Sequence, residues 1–466
     1  MKYTTKKRSL LLLIFLLVPA GINAQEKTHS LTLSECIGFA RGNNPDIKKA
    51  EIEEKISGKK INEVIGSGLP QITLSGDVVN NLKLPTQLIP AEVFGGEPGS
   101  FINATFGTKY NYTFTGKVTQ MIFNGSFWVG LSAAKYSNKY YKENREYVSE
   151  DVEYNVASTY YQTIIVQKQI QLLEQNLKLI SKSLADTKLM YENGKAKEID
   201  VDRLNVNYNN LQYQLKKAGE GLKQSYNNLK FQMGMPLEEN ISLSDSFVFA
   251  EDSLLIEKIN NLQYVQEPSV DYNQRPDYRL LQTSLELQKL DRKNKIAQYL
   301  PSISAYGSYS YQGLRTSFDL FDSKKDWFNF YSVGLQFSMP IFTGGQTYSK
   351  IQQSSLNIES LKEDIRKTES GINLQVSNAV SKYNNAYDNT KTNQQNMNLA
   401  QKVYDVTMLE YREGVTDAVS LVDSETKLRE AQTNFINSLL ELYIAKFDME
   451  KAKGTLSDYL NNIDNK

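Results

Sequence analysis

The sequence predicts a mainly helical protein with a membrane β-barrel, in which long antiparallel coiled-coil helices form an α-barrel tunnel that continues from the strands. Three observations lead to this fold class. The chain contains an internal duplication, each half carries strands with one apolar and one polar face, and each half carries very long helices without proline. An internal repeat of this size fixes the architecture before single residues are interpreted.

The duplication is visible as short motifs that recur in the same order. Asn44-Pro45-Asp46 returns as Arg275-Pro276-Asp277, and Leu69-Pro70 returns as Leu300-Pro301 at the same separation. Two later motifs, at 122–125 and 191–194, return at 341–344 and 411–414. The distance along the chain between these later copies is about a dozen residues shorter than between the earlier ones. The pattern predicts a two-fold repeat, with repeat one at about 32–234, a bridging segment at about 235–271 and repeat two at about 272–456.

The first 24 residues are interpreted as an export signal. A basic start is followed by the apolar run Leu10–Val18, which is too short to span a bilayer, and Ile22-Asn23-Ala24 is a plausible cleavage site. An N-terminal membrane anchor is the alternative. Because the duplication covers the remainder, residues 25–466 are expected to form one domain.

Composition excludes several classes of function. The 53 basic and 53 acidic residues balance, which gives no support for nucleic acid as a partner. The single cysteine, Cys36, allows no intrachain disulfide, and its apolar neighbours favour a small buried residue over a reactive thiol. With one histidine, His29, catalytic triads and His- or Cys-based metal sites are unavailable, so no cofactor is expected.

Strands are predicted after two helix–strand switches, Pro70 and Pro301, where proline ends the helical ladder. The clearest strand lies between Phe106 and Met121, with aromatic and apolar residues at even positions and polar ones at odd positions. Each repeat is expected to contain two strands, joined by loops at 85–105 and 315–327. Phe127-Trp128 and Trp327-Phe328 are interpreted as interfacial aromatics, with ordinary core packing as the alternative.

Very long helices follow the strands. Residues 126–192 contain no proline, and a second helix runs to Met233. Gly194 and Gly414 each follow a long helix, where a left-handed helix end suits glycine. Nearly strict heptads in both repeats predict supercoiled helices. The heptad residues are Leu204, Tyr208, Leu211, Leu215, Ala218, Leu222 and Leu229, then Leu428, Ala431, Phe435, Leu442, Ala445 and Met449.

Four strands cannot close a barrel, and an open sheet edge in a bilayer leaves backbone groups unpaired at several kcal/mol each. Several copies must therefore share one barrel: two copies give eight strands and three give twelve. The face rich in Ser, Thr, Asn and Lys is expected to line the tube, and the face rich in Tyr, Phe, Val and Leu to meet lipid.

The motifs resemble those of the TolC family of outer-membrane efflux proteins. Residues 31–40 and Asn43-Asn44-Pro45-Asp46 are similar to its N-terminal signature, and Arg275-Pro276-Asp277, Leu300-Pro301-Ser302, Tyr411-Arg412-Glu413-Gly414 and Ala431-Gln432 to its second-half marks. The resemblance implies a homotrimer with a 12-stranded barrel in the cell outer membrane and a 12-helix periplasmic tunnel. It also implies two partners, a periplasmic adaptor protein and an inner-membrane pump of RND or ABC type.

Site residues follow from the resemblance alone. It implies a periplasmic gate at Asp200 and Tyr411, with Thr416 where the family has an arginine, and a tunnel constriction at Asp423, with Ser420 where the family has a second aspartate. Three copies of Asp423 are expected to attract cations. The turns at Tyr191, Gly194 and Gly414 are expected to meet the adaptor. The alternatives are a solvated helix-start charge for Asp200, interhelix packing for Tyr411 and a solvated face for Asp423.

The expected function is a passive, gated exit duct for efflux or type I secretion, with no enzymatic activity. A periplasmic or surface coiled-coil protein, such as an adhesin stalk, is the main alternative; a lipid-facing set of aromatic residues argues against it. A periplasmic hydrolase using two carboxylates is a third hypothesis, but no pattern places a carboxylate pair in an apolar pocket.

Overall fold

The computed structural model describes residues 29–244, 265–266, 269–320, 322 and 324–462. The predicted export signal at 1–24 and most of the bridging segment at 235–271 lie outside the described residues. Within the described part of the chain, no helix is long and apolar enough to cross a membrane.

The described elements form two series of similar order and size. The first comprises β1 (His29–Leu31), α1 (Leu33–Asn43), α2 (Pro45–Ser67), β2 (Gln71–Asn80), β3 (Thr86–Pro90), β4 (Phe101–Thr105), β5 (Tyr110–Asn124), α3 (Gly125–Glu192), α4 (Glu198–Met233) and β6 (Ile241–Leu243). The second comprises α5 (Pro276–Ala297), β7 (Ser302–Arg315), β8 (Phe328–Ser338), α6 (Gln346–Arg412), α7 (Ala418–Lys453) and α8 (Leu456–Asn461). The long helices α3 and α6 have 68 and 67 residues, and α4 and α7 have 36 each.

Local chemistry sets where the helices start. Thr32 and Glu35 form the reciprocal capping box at the start of α1, with the Thr32 N–H donating to Glu35 Oε2 at 2.8 Å. Asn44 caps α2, and Pro45 occupies its first turn, as the sequence predicts. Asn124 accepts from the Ser126 and Phe127 N–H groups and starts α3 directly from β5.

Four strands form one antiparallel sheet in the order β2-β5-β7-β8. The register between β5 and β7 shifts at a bulge between Met121 and Phe123. At the bulge β5 has one residue more than β7. As a result, Phe123 lies on the apolar face opposite Ile303, and Asn124 lies on the polar face, where it caps α3. Pro70 and Pro301 each directly precede the first residue of a strand, Gln71 of β2 and Ser302 of β7.

The predicted loop at 85–105 is wrong at both ends, which are strands. Residues 86–90 and 101–105 pair as an antiparallel hairpin, closed by a 3-10 turn at Ala91–Phe94. The adjoining long strand starts at Tyr110 rather than Phe106, because Gly107 has φ of +105° and interrupts the extended backbone. Strand-forming residues beside prolines and glycines were interpreted as a loop, although the prolines lie next to the hairpin or at its edge.

The apolar face of the sheet is largely open, with Val333 on β8 86% exposed. One part departs from the expectation that this whole face meets lipid. Tyr112 is fully buried because Phe318 and Trp327, from the segment between β7 and β8, pack over it with ring centroids 6.2 and 6.3 Å away. The polar face is joined by hydroxyl pairs, including Thr115 with Ser310 at 2.9 Å.

The main hydrophobic core lies midway along the helices. It packs α1 and the middle of α3 against the ends of α4 and α7 and the short helix α8, and Cys36 is fully buried in it, as predicted. Further along, the heptad positions Leu204, Leu211 and Leu428 are buried in separate clusters within the two long hairpins. The distal turns of these hairpins, which we call the helical tip (residues 186–203 and 408–428), carry most of the predicted site residues.

Candidate functional site at the helical tip

The two tip turns have the same backbone geometry. Gly194 and Gly414 have φ of +69° and +77°, so each adopts the predicted left-handed conformation after a long helix. In both turns an N–H beyond the glycine reaches back over the last helical turn: Lys195 N donates to Met190 O and Val415 N to Glu410 O, each at 2.8 Å. These bonds satisfy carbonyls at the helix end, so the turns are rigid, closed structures rather than open loops.

The two turns differ in how the next helix is capped. At α7 the first carboxylate comes before the helix, where Asp417 accepts from the Ser420 N–H at 2.9 Å. At α4 it comes from inside the helix, where Asp200 Oδ2 accepts from the Lys197 N–H at 3.3 Å. Asp200 and Ser420 occupy corresponding positions but have reversed roles, because one supplies a side-chain acceptor and the other a backbone donor.

Arg203 connects the charges of the two turns. Its guanidinium lies 3.5 Å from Asp200 Oδ1 on the preceding turn of α4. The hydrogen bond from the Ser420 N–H lowers the pKa of the Asp417 carboxyl, and the nearby Arg203 charge lowers it further. One cation therefore lies close to a carboxylate at each turn.

Tyr411 lies at the junction between the two hairpins. Its side chain is buried, and its hydroxyl forms a hydrogen bond of 2.8 Å with Thr187 Oγ1 on α3, which is itself fully buried. Burial raises the pKa of the Tyr411 hydroxyl, and the Asp200 charge contributes in the same direction. The structure thus brings the predicted gate residues Asp200 and Tyr411 within electrostatic reach of one another.

The corresponding tyrosine of the first turn behaves differently. Tyr191 is 45% exposed, whereas Tyr411 is 5% exposed. One residue after Tyr411, Arg412 forms an ion pair of 3.2 Å with Asp186 on α3. The second turn is therefore fixed to the first hairpin by two adjacent side chains, whereas Tyr191 faces outward.

Asp423 is exposed and forms an ion pair of 2.7 Å with Lys427, one helical turn further along α7. The hydrogen bond that Lys427 donates to Asp423 raises the pKa of the Lys427 ammonium, so this cation stays charged beside the carboxylate. Ser420 is also exposed and lies on the same face of α7, three residues before Asp423. The expected attraction of cations requires an unpaired carboxylate at Asp423. In the structure, Asp423 of each chain is instead paired with Lys427.

A second connection between hairpins lies where the tip meets the rest of the long helices. Asn207 on α4 donates from Nδ2 to Glu425 Oε2 on α7 at 2.7 Å, and both residues are buried. Arg429 also contacts Glu425, at 3.3 Å from Oε1. Because the carboxylate has two partners, its burial is compensated and the pair fixes the relative height of α4 and α7.

Several of these residues were not identified from the sequence. Asp417 could have been identified, because an aspartate just before a helical run is a signal for the start of a helix. Asp186 and Thr187 carry no such local signal, because their partners come from a distant part of the chain. Arg203 lies three residues after its partner Asp200, but its proximity to Asp417 is likewise invisible in the local sequence. The predicted residues Pro70 and Pro301 lie at the sheet, far along the helices from the tip, and do not belong to this site.

The tip is a set of hydrogen bonds and ion pairs between helix ends. Among the described residues there is no group of three or more His, Cys, Asp and Glu side chains placed to hold a metal ion. The contacts Tyr411–Thr187, Arg412–Asp186 and Asn207–Glu425 join the two hairpins, whereas Arg203–Asp200 and Asp423–Lys427 lie within one helix.

Comparison with known proteins places this architecture in a family. The sequence profile of the outer membrane efflux proteins matches residues 36–235 and 273–455. Outer membrane protein TolC of Salmonella enteritidis is 24% identical over 149 residues, which is 32% of this chain and 30% of the relative. TolC of Escherichia coli K12 is 25% identical over 126 residues, 27% of this chain and 26% of the relative. The chain thus aligns with 30% or less of the length of these two curated relatives.

Solved structures extend the likeness over nearly the whole chain. CusC superposes with a TM-score of 0.69 at 16% identity, covering 92% of this chain and 94% of CusC. VceC of Vibrio cholerae gives 0.66 at 14% identity, covering 91% and 96%, and the open-state channel MtrE of Neisseria gonorrhoeae gives 0.68 at 16%, covering 91% and 89%. At these identities the likeness concerns the fold. Because the family profile matches most of the chain, this protein belongs to the outer membrane efflux protein family and lies in the cell outer membrane, extending into the periplasm.

Proposed function

We propose that this chain is the outer-membrane exit duct of a tripartite efflux or type I secretion system, a passive channel made of three identical copies. The observation that carries the proposal is the four-stranded sheet, whose edge strands β2 and β8 each have one edge without a partner strand among the described residues. Nearly every residue of both edge strands is exposed. An open edge is a template for pairing with another chain, and pairing of β8 with β2 of the next copy removes all edges.

The faces of the sheet support a twelve-stranded barrel in lipid. Its apolar face carries exposed Ile72, Leu74, Val333 and Leu335, which suits contact with acyl chains. Its polar face carries hydroxyl pairs such as Ser308 with Ser332 at 2.9 Å, which suits a water-filled lumen. A coiled-coil stalk has no use for an exposed apolar sheet, so this observation favours the duct.

The helices offer a matching pair of surfaces for the same assembly. On α4, Ile199, Val206 and Tyr213 are exposed at strict seven-residue spacing. On α6, exposed Leu399, Val403 and Val406 follow the alternating four- and three-residue spacing of a coiled-coil seam. We call these the α4 stripe and the α6 stripe. We propose that the α4 stripe of one copy packs against the α6 stripe of its neighbour, which closes a ring of twelve helices.

The tip contacts support a gate at the periplasmic mouth. In the proposed mechanism the Arg412–Asp186 ion pair, together with the Tyr411–Thr187 and Asn207–Glu425 hydrogen bonds, holds the hairpins in one relative position. Opening the mouth requires the second hairpin to move away from the first, which breaks these bonds. Ser420 and Asp423 on α7 are proposed to line the constriction, with Lys427 neutralising much of the Asp423 charge.

The partners are proposed from family membership. A periplasmic adaptor protein would bind the exposed tip turns around Tyr191, Gly194 and Gly414, and an inner-membrane pump of RND or ABC type would supply energy and select the cargo. We further propose that residues 25–466 form one domain built from an internal two-fold repeat. The matched lengths of α3 with α6 and of α4 with α7 support that organisation.

Ion conductance of the purified protein in a planar lipid bilayer tests the proposed function. Detergent-extracted protein is expected to have the mass of a trimer and to form discrete ion-conducting channels. Recovery of the protein from the aqueous fraction without detergent, as a non-conducting monomer, would contradict the proposal and favour a stalk.

A further inference from the structure

The hairpin formed by β3 and β4 has no counterpart between β7 and β8 in the described residues, and the proposed function gives it no role. It is a sheet of two strands on its own. Two-stranded hairpins are marginally stable in water unless a further strand or another element packs against them. Residues of this hairpin and its turn are nevertheless apolar and exposed, namely Leu88, Val93, Phe94, Phe101 and Ile102.

The apolar residues lie on both sides of the hairpin. Ile89 pairs with Ile102 on one face, and Pro90 pairs with Phe101 on the other. The strands themselves contain no charged residue, and Glu92 in the turn accepts a hydrogen bond from the Gly99 N–H at 2.8 Å within the hairpin. An exposed apolar surface of this kind is a contact surface in most folded proteins.

The base of the hairpin is fastened on the polar side of the main sheet. Thr108 donates from Oγ1 to Asn111 Oδ1 at 2.5 Å, and Asn111 shares the polar face with Thr113 and Thr115. Asn81 closes the base by donating from Nδ2 to the Thr108 carbonyl at 2.9 Å. These bonds hold together the two segments that enter and leave the hairpin, on the face that the proposed channel turns toward its lumen.

The other side of the sheet is already occupied at this end. Phe318 contacts Tyr110 edge-on with ring centroids 5.7 Å apart, and Trp327 stacks on Tyr311 at 5.0 Å. Both tyrosines lie on the apolar face. The segment between β7 and β8 therefore covers the lipid-facing side, and the hairpin is fastened on the opposite side.

We propose that this hairpin is an interface between copies: three hairpins pack against one another on the lumen side of the outer mouth and narrow it. The inference rests on the proposed trimer, in which three hairpins surround one axis. Lipid does not reach the lumen side, so the occupant that fits these apolar residues is the same hairpin of a second copy. Mutual burial supplies the packing that a two-stranded hairpin lacks on its own.

Cysteine cross-linking of the full-length protein in its membrane tests the contact. Phe94, at the hairpin turn and 69% exposed, is replaced in Phe94→Cys; Phe318→Cys, 61% exposed on the other side of the sheet, is the matched control. The native Cys36 is fully buried, so the parent protein shows the background. With a mild oxidant, about two-thirds of Phe94→Cys chains are expected as disulfide-linked dimers, because three symmetric cysteines form one pair. Phe318→Cys is expected to stay monomeric.

A Phe94→Cys protein that remains uncross-linked overturns the contact, whether its thiol reacts with a water-soluble maleimide or only with a lipid-soluble one. The mass of the detergent-extracted protein, measured separately, shows whether the trimer itself forms, so a failure of the hairpin contact is distinguishable from a failure of the proposed assembly. Replacement of residues 86–105 by a short Gly-Ser turn is made in the Tyr411→Phe background, where the proposed periplasmic gate is weakened, and is expected to raise single-channel conductance about two-fold or more. Conductance equal to that of Tyr411→Phe alone overturns the narrowing.

Discussion

The Tyr411 hydroxyl lies 2.8 Å from Thr187 Oγ1, in a buried hydrogen bond that joins α6 of the second hairpin to α3 of the first. Thr187 also comes one residue after Asp186, which pairs with Arg412. Two consecutive residues of one helix thus bind two consecutive residues of another, more than two hundred positions away in the chain. The buried bond fixes the geometry, and the exposed ion pair adds little to its strength.

Replacing Tyr411 by phenylalanine should weaken this junction. Tyr411→Phe leaves the Thr187 hydroxyl buried without its partner, so we expect the free energy of unfolding to fall by about 1–2 kcal/mol. Thermal unfolding of the purified protein followed by circular dichroism measures the loss. Tyr191→Phe, at the corresponding exposed position, serves as control and should change stability little.

A double variant separates the bond from packing. Tyr411→Phe combined with Thr187→Val removes both partners, and its loss should be smaller than the sum of the two single losses. If the two losses are additive, the hydrogen bond does not couple the hairpins. In the bilayer, Tyr411→Phe should also open the channel more often, since a closing contact is weakened.

Two glycines with the same backbone angle should differ sharply in their tolerance of alanine. Gly414 and Gly454 have φ of +77° and +79°. A Cβ at Gly414 meets open space, whereas one at Gly454 would lie 2.8 Å from the Gln274 carbonyl carbon and 2.9 Å from the Arg275 nitrogen. We expect Gly414→Ala to cost about 1 kcal/mol for the left-handed conformation alone, and Gly454→Ala about 2 kcal/mol more from the backbone clash.

Thermal unfolding of both variants under identical conditions makes that comparison. Equal losses would mean that the end of α7 does not approach the turn at residues 272–275 as closely as the structure shows. The comparison is internally controlled, because Gly414 and Gly454 each follow a long helix of the second hairpin, α6 and α7.

Much of the local structure could be predicted from the sequence, because it depends on neighbours along the chain. Gly194 and Gly414 adopt the left-handed helix end, and Pro70 and Pro301 mark the start of strands. The alternation in β5 predicted its two faces, although the bulge after Met121 was not foreseen. Capping, helix termination and side-chain period are determined within a few residues, so they leave a readable pattern.

The contacts between hairpins could not be predicted in the same way. Thr187 acquires its partner Tyr411, and Arg203 comes near Asp417, only when two hairpins pack at a particular relative height, which no local pattern encodes. The hairpin at residues 86–105 was interpreted as a loop because Pro85, Pro90 and the Gly95-Gly96 pair resemble loop signals. Asp417 is an intermediate case: its cap was readable from the sequence, but its proximity to Arg203 was not.

Glu150 on α3 should make stability depend on pH. Burial raises its pKa from 4.5 to about 7, and the charges of Asp277 and Glu153 act in the same direction, against Lys451 and Arg275. Below pH 4.5 the carboxyl is protonated in folded and unfolded chains alike, so it has no effect. As pH rises from 4.5 to 7 the unfolded chain loses this proton more readily, and the folded state is destabilised by up to about 3 kcal/mol.

Glu150→Gln removes this titration. The variant should match the parent protein at pH 4 and be more stable at pH 8, by about 1–3 kcal/mol, in unfolding measured across that range. Glu174→Gln, an exposed position on the same helix, should leave the pH profile unchanged. Parallel profiles for Glu150→Gln and the parent protein would show that Glu150 is not the titrating group.

The α4 stripe should control assembly. Val206 is exposed at the centre of that stripe, seven residues from both Ile199 and Tyr213. Val206→Glu places a charge where the proposed ring buries an apolar side chain against the α6 stripe of the next copy, and an unpaired buried charge is strongly unfavourable. We expect the detergent-extracted variant to shift from trimer to monomer in native mass measurements. Asn205→Glu adds the same charge about 100° around the helix and should remain trimeric. A trimeric Val206→Glu protein would place the interface elsewhere. In that case the sheet edges alone would hold the copies together, and the α4 stripe would be free for another partner.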